Sequence, residues 1–291
     1  MLRCFPMELN ELLETPPWEW PRDAGSTFHR YLIDKSADIS DRLIAAQLAG
    51  DTVVINDELA GDLMAIVSAA DEPDDLRGSA AIALGPIIEQ TDLDGFDDPR
   101  DIDGSPIEES TFNRIQHVLE KTYRDTSVPK EVRRRALEAS VRAGQPWHTK
   151  AVKEAFASGD RDWWLTAVFA TRFVRGFDKQ ILEGLKSKDE EIHSQAVQAA
   201  GANDLAPAAP HIIDLIRDDR TPKPLLLAAI EAIGNIRPEE AGSILGELLD
   251  SDDEEIADAA HEAVSMADAF LDVDEDEEDE DQDAGQGGWI N

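Results

Sequence analysis

Cysteine is almost missing from this chain. Cys4 is the only one in 291 residues, so an internal disulfide and a cysteine-built metal site are both excluded. Cations are scarce as well. Lys and Arg number 27 against 63 Asp and Glu, and a formal net charge of −36 repels nucleic acid and anionic lipid over most of the surface. No apolar run approaches the ~20 residues of a membrane span. The first residues, Met1 to Glu11, lack the apolar core of a secretory signal, so the expected location is the cytoplasm. Motifs of common catalysts are absent too: there is no Gly-rich phosphate loop, no His-Glu-x-x-His helix and no Gly-x-Ser-x-Gly elbow. The six histidines (His29, His117, His148, His193, His211, His261) are scattered.

What the chain has is alanine at regular intervals. Six helix-length segments carry an alanine pair three residues apart: Ala80/Ala83, Ala136/Ala139, Ala167/Ala170, Ala196/Ala199, Ala229/Ala232 and Ala260/Ala263. Four residues before each pair stands a large apolar residue, namely Leu76, Val132, Trp163, Ile192, Leu225 and Ile256. From the second pair onward the spacing is 31, 29, 33 and 31 residues. Positions i, i+4 and i+7 share one helical face, and small residues there let helices approach closely. A period in this range is the mark of stacked helix pairs. A first helix precedes each alanine helix, for example Leu63 to Val67, Ile115 to Leu119 and Ile212 to Ile216. A weaker copy, with Ile39, Leu43 and Ala46 in the corresponding places, brings the expectation to seven pairs. Two turns read as capping boxes, Ser187 with Glu190 and Ser251 with Glu254.

Carried best by Ala196-Val-Gln-Ala-Ala-Gly201 and Ala229-Ile-Glu-Ala-Ile-Gly234, this pattern resembles HEAT repeats, in the short alanine-rich form of the HEAT-like proteins related to phycobilin lyases. The resemblance spans residues 26–270 and implies a right-handed α-solenoid of about seven HEAT-like pairs, with the second helix of each pair on the concave side. It leaves activity open, because such proteins include scaffolds, adaptors, chromophore lyases and a metal-dependent hydroxylase. That hydroxylase binds two irons through His-Glu pairs two residues after the large apolar position. Here those places hold Gly78, Arg134, Leu165, Ser194, Leu227 and Asp258, which disfavours di-iron chemistry; no cofactor is expected.

Three segments lie outside the repeat. Residues 1–25 form an arm in which Pro16, Pro17 and Pro21 forbid helix, so it is expected to be extended or turned, with Trp18 and Trp20 covering the first helix pair. Residues 88–110 are an acidic insertion whose aspartates do not match a calcium-binding loop. Residues 271–291 begin with Asp272, Asp274 through Asp281 and Asp283, a run expected to be disordered, and end in a Trp289-Ile290 tip.

Charge is unevenly spread. Residues 113–188 hold 16 Lys and Arg against 9 Asp and Glu, while the remainder holds 11 against 54. Positions two, six and nine after the large apolar residue should face away from the packing side. The expected contact surface therefore includes Arg134, Glu138, Leu165, Phe169, Arg172, Gln198 and Leu227, with Arg133 and Trp164 at its edge. An apolar patch rimmed by arginine suits an acidic-aromatic peptide. The function expected is a protein-interaction scaffold or adaptor without catalysis of its own. The alternatives are a HEAT-like lyase or accessory subunit of an enzyme, and a nucleic-acid binder using the basic middle, as the cationic inner face of solenoid-type DNA glycosylases suggests. The acidic tail is also a candidate to dock on the basic repeats within the same chain.

Overall fold

The computed structural model describes residues 7–96 and 105–284, with only the backbone described for residues 270 and 272–284. Among the described residues there is no strand, and no helix is long and apolar enough to cross a membrane. The chain divides into two compact units, residues 1–154 and 155–291.

The first unit begins with α1 (Leu9–Glu14) and a 3-10 turn at Pro17–Glu19. The arm is thus partly helical, with its helix confined to the stretch before the prolines. Trp20 covers the first pair as expected: its ring meets Phe28 edge-on at 5.3 Å, and its indole N–H donates to the Leu12 and Thr15 carbonyls at 2.9 Å each. Trp18 does not, being 78% exposed.

Three helix pairs follow in the first unit: α2 (Ala24–Ile33) with α3 (Ile39–Ala49), α4 (Asp57–Ser68) with α5 (Asp74–Ala83), and α7 (Glu109–Arg124) with α8 (Lys130–Ser140). Between them α6 (Gly85–Asp94) occupies the start of the acidic insertion, burying Ile87, Ile88 and Thr91 while Asp92 and Asp94 face solvent. The other aspartates considered for calcium lie outside the described residues. α9 (His148–Ala157) contains the division. The second unit holds α10 (Arg161–Ala170), whose Trp164 meets Phe156 at the end of α9 edge-on at 5.5 Å, followed by α11 (Asp178–Gly184) with α12 (Glu190–Ala202), α13 (Ala209–Arg217) with α14 (Lys223–Ile236), and α15 (Pro238–Leu245) with α16 (Glu254–Ala284). With α9 and α10 taken in chain order as one more, the described residues hold seven successive helix pairs, the number expected from the sequence.

Within each unit the second helices pack on one another. α3 meets α5 and α5 meets α8; α10 meets α12, α12 meets α14, and α14 meets α16. The alanine faces supply these contacts: Ala80, Ala136, Ala167, Ala196, Ala229 and Ala260 are all fully buried. The closest approaches occur nine residues after the large apolar position, where glycine recurs. A Cβ on Gly201 would stand 2.7 Å from Ala232 Cα, and one on Gly234 would stand 3.0 Å from the Ala263 carbonyl oxygen. A Cβ on Gly50 would stand 2.2 Å from the Ala83 oxygen. The Gly50 contact also corrects the register of the first repeat. Gly50 fills its ninth place, so Asp41, Ala45 and Leu48 take the places assigned to Ile39, Leu43 and Ala46; Ile39 is 41% exposed.

A second device recurs in the first unit. Three arginines near the start of second helices each donate to a carbonyl ten residues earlier, at the end of the preceding first helix: Arg42 to Leu32 (3.0 Å), Arg77 to Val67 (3.1 Å) and Arg133 to Tyr123 (2.9 Å). The last carbonyls of a helix have no partner within it, and they favour a cation. Arg42 is also bidentate to buried Glu72 at 2.6 and 2.9 Å.

Two details depart from the sequence reading. Asp189 and Asp253, rather than Ser187 and Ser251, receive the amide hydrogens at the starts of α12 and α16. Each serine instead accepts from its aspartate's own amide, at 3.1 and 3.2 Å. The aspartate, two residues closer to the first turn, is better placed to accept. In addition, the backbone of α16 is helical to Ala284, where the acidic composition predicts disorder from 271. Extending a helix already anchored by packing avoids the cost of nucleating one. Residues 285–291, with the Trp289-Ile290 tip, lie outside the described residues.

Two predictions follow from these contacts. Gly201→Val should destabilise the second unit by about 1–3 kcal/mol, because the added carbons meet backbone rather than a yielding side chain. Gly242→Ala, where a Cβ would find only Val264 Cγ1 at 4.0 Å, should be neutral or mildly stabilising. Urea denaturation of both variants measures the difference, and equal midpoints would mean that α12 and α14 do not close at Gly201.

His148 supplies a third. Its Nδ1 accepts the Gln145 amide hydrogen at 3.1 Å and its Nε2 lies 2.8 Å from Ser140 Oγ, so the ring is held neutral. Burial lowers its pKa from 6.5 to about 4. The unfolded chain therefore takes up the proton first as pH falls. Stability is intact above pH 6.5 and declines between 6.5 and 4, by on the order of 3 kcal/mol for this group. His148→Gln should flatten that part of the stability profile; an unchanged slope would show that His148 does not set it.

Candidate partner-binding groove

In the second unit α14 and α16 wall an open trough of about 1070 Å³. Its floor is made by the small buried residues Ala228, Gly234 and Ala263, the same residues that let the two helices meet. Leu227 and Ala259 are half-buried along it, and Met266, 51% exposed, stands at one end. The walls are acidic. Glu231, Asp253, Glu254, Glu255, Asp258 and Glu262 line the trough, and no Lys or Arg does.

One cation reaches the rim of the trough and pairs with two of its carboxylates. Lys223, at the start of α14, bridges Asp253 at 2.7 and 2.8 Å and Glu255 at 2.7 Å. Those hydrogen bonds hold the Asp253 carboxyl below, and the Lys223 ammonium above, their ordinary values. Among the described residues, Glu231, Glu254, Asp258 and Glu262 form no ion pair. Nor is any group of three or more His, Cys, Asp or Glu side chains placed among the described residues to hold a metal ion.

A smaller groove of about 590 Å³ lies on the equivalent face of the first unit. Leu43, Ile82 and Pro86 give it an apolar lining, and Trp20 and Pro17 of the arm form one edge. Its charges are mixed, with Asp51, Asp75 and Glu131 offset by Arg135.

Both grooves follow the register rule at its second and sixth places, whereas the ninth, expected to face away as well, lies in the helix contact instead. Leu43, Gly78, Leu227 and Asp258 stand two residues after the large-residue position, and Gln47, Ile82, Gln198, Glu231 and Glu262 six after it. Of the residues expected at the contact surface, Gln198 and Leu227 line the larger groove.

The middle repeats differ. Arg134 and Glu138 are only 4% and 5% exposed, so they are not offered to a partner. Arg134 binds Glu131 at 2.7 Å and lies 3.6 Å from Glu138, while Arg135 reaches Glu138 at 2.8 Å. Four charges within eight residues satisfy one another, with Arg134 and Glu138 turned inward and Glu131 and Arg135 left half-exposed at the smaller groove. Trp164 is likewise spent on packing, edge-on to Phe156 at 5.5 Å and against Gly184. Arg133 is taken up by the Tyr123 carbonyl and lies over its ring. Phe169 pairs with Phe173 at 5.7 Å, and Arg172 sits over both rings while donating to Gln198 at 3.1 Å. Leu165 is half-buried against the core of the second unit and lines neither groove.

Sequence reasoning passed over the acidic wall of α16. The same rule applied to Ile256 places Asp258 and Glu262 on the open face, so the signal was present.

No protein-family model matches the chain, and no curated protein matches it. Solved structures give loose likenesses. One is the X-ray structure of YibA from Escherichia coli, 16% identical with a TM-score of 0.43, covering 88% of this chain and 85% of that one. Another is human deoxyhypusine hydroxylase in complex with glycerol, 15% identical with a TM-score of 0.39, covering 89% of each chain. At such scores neither likeness bears on function.

Because Arg134 is buried beside Glu138, Arg134→Leu should cost about 3 kcal/mol, the penalty of stranding a buried charge. Thermal unfolding checks this, and an unshifted midpoint would return Arg134 to the exposed surface.

Proposed function

We propose that this chain is a protein-interaction scaffold that holds a partner segment on the open face of its second helices. The observation carrying the reading is the trough between α14 and α16, where half-buried Leu227 and exposed Met266 lie beside carboxylates that have no counter-charge among the described residues. Apolar surface bordered by charge marks a contact site on a folded protein. Enclosed sites for small molecules are concave and mostly apolar, unlike this open and acidic trough. The basic middle repeats are a weaker candidate, since their arginines and aromatics already engage one another.

A photoreactive benzoylphenylalanine at Met266 or Leu227 should cross-link a discrete protein in native lysate. The same probe at Leu13, exposed and outside both grooves, serves as the reference. Equal labelling at all three sites would contradict the proposal.

A further inference from the structure

We propose that the α14–α16 groove accepts a basic amphipathic helix from a partner protein. The apolar face of that helix lies on Leu227, Ala259 and Met266, and its Lys or Arg side chains reach Glu231, Asp258 and Glu262. This rests on the scaffold reading and adds the chemistry of the partner.

Spacing is the first argument. Asp258 and Glu262 are four residues apart on α16, as Leu227 and Glu231 are on α14, so each pair repeats at ~6 Å along its helix axis. Cations at i and i+4 of a docked helix repeat at the same interval. The lined part of α14, from Pro224 to Asn235, is about 16 Å long, which three turns of helix would fill.

Charge is the second. Glu231, Glu254, Asp258 and Glu262 are exposed and form no ion pair among the described residues, so they are open to a cationic ligand, whereas Lys223 already serves Asp253 and Glu255 at the rim. Beyond the groove the sequence of α16 continues with Asp272 and the unbroken run Asp274–Asp281, so the field steers a cationic ligand toward this end. The same field turns away nucleic acid and anionic lipid. Apolar surface is the third argument. Carboxylates alone would suit any cation, but Leu227, Ala259 and Met266 add a strip that rewards an apolar face, and methionine adapts to its shape.

The test uses full-length protein and fluorescence anisotropy with a labelled 14-residue peptide of Leu and Lys patterned at the helical period. Two companions are a scrambled isomer of identical composition and a Leu–Glu counterpart. The patterned peptide should bind at least tenfold tighter than the scrambled one, and the Leu–Glu peptide should not bind. Glu231→Lys, Asp258→Lys and Glu262→Lys together should weaken binding at least tenfold. Reversing Glu239, Glu247 and Asp250, which lie on α15 and the turn after it and do not line the groove, should change it less than threefold. Leu227→Asp tests the apolar strip separately and should also weaken binding tenfold, with circular dichroism confirming the fold. Equal binding of patterned and scrambled peptides, or equal loss in the two triple variants, would overturn the proposal by reducing the effect to net charge. Binding of the Leu–Glu peptide, lost in Leu227→Asp, would overturn the basic partner while leaving the scaffold reading intact. Absence of preferential cross-linking at Met266 and Leu227 would instead defeat that reading itself.

Discussion

A glycine at the end of one second helix resting on an alanine of the next is the contact on which both units depend. Gly50 meets Ala83, Gly201 meets Ala232, and Gly234 meets Ala263. Gly85 holds the same place and lies against Ala139 and Arg142, whose guanidinium reaches across to Glu89. Glycine in a helix costs about 1 kcal/mol relative to alanine. Here its missing Cβ removes a collision with backbone, and the loss is offset by dispersion contacts along the two helices. After α8 and α10 the place is taken by Val141 and Arg172, and α10 packs less extensively on α12 than α12 does on α14.

Close approach at the base determines what the open face offers. Where α14 and α16 touch through Gly234 and Ala263, residues one turn away on each helix are left facing each other across a trough. The side chains placed there are not fixed by the contact between the helices, so their chemistry varies from repeat to repeat. The two grooves accordingly share a register and differ in chemistry: mixed charges and an aromatic edge in the first unit, an apolar strip whose lining charges are all carboxylates in the second. The arginines that close helix ends in the first unit belong to the opposite side of the same economy, spending cations on carbonyls and thereby removing them from the surface.

How far the sequence speaks is visible in particular residues. The alanine pairs and their spacing sufficed for the helix pairs, because burying a small face every 29–33 residues leaves few other architectures. The same periodicity puts Gln198 and Leu227 in the lining of the larger groove. The first repeat misled because Asp41 and Arg42 stand where an apolar residue is usual, and only the contacts of Gly50 and the Arg42–Glu72 pair reveal the register. Arg134 and Glu138 misled differently. Helical geometry put them on the open face, but Glu131 and Arg135 beside them allow a network that draws all four together, and long charged side chains follow partners rather than wheel positions. The fate of Trp164 depended on Phe156 and Gly184, which are eight and twenty residues away and carry no sequence signal of contact.

The most direct measurement is a disulfide across the base of the groove. A Cβ on Gly234 would lie 3.4 Å from the Cβ of Ala263, next to the 3.5–4.5 Å that a disulfide spans. In a Cys4→Ser background, Gly234→Cys with Ala263→Cys should oxidise completely under mild conditions to an intramolecular bond, read by mass spectrometry and thiol titration. Two free thiols after oxidation would mean that α14 and α16 do not meet there, and that neither the stacking nor the groove is as described.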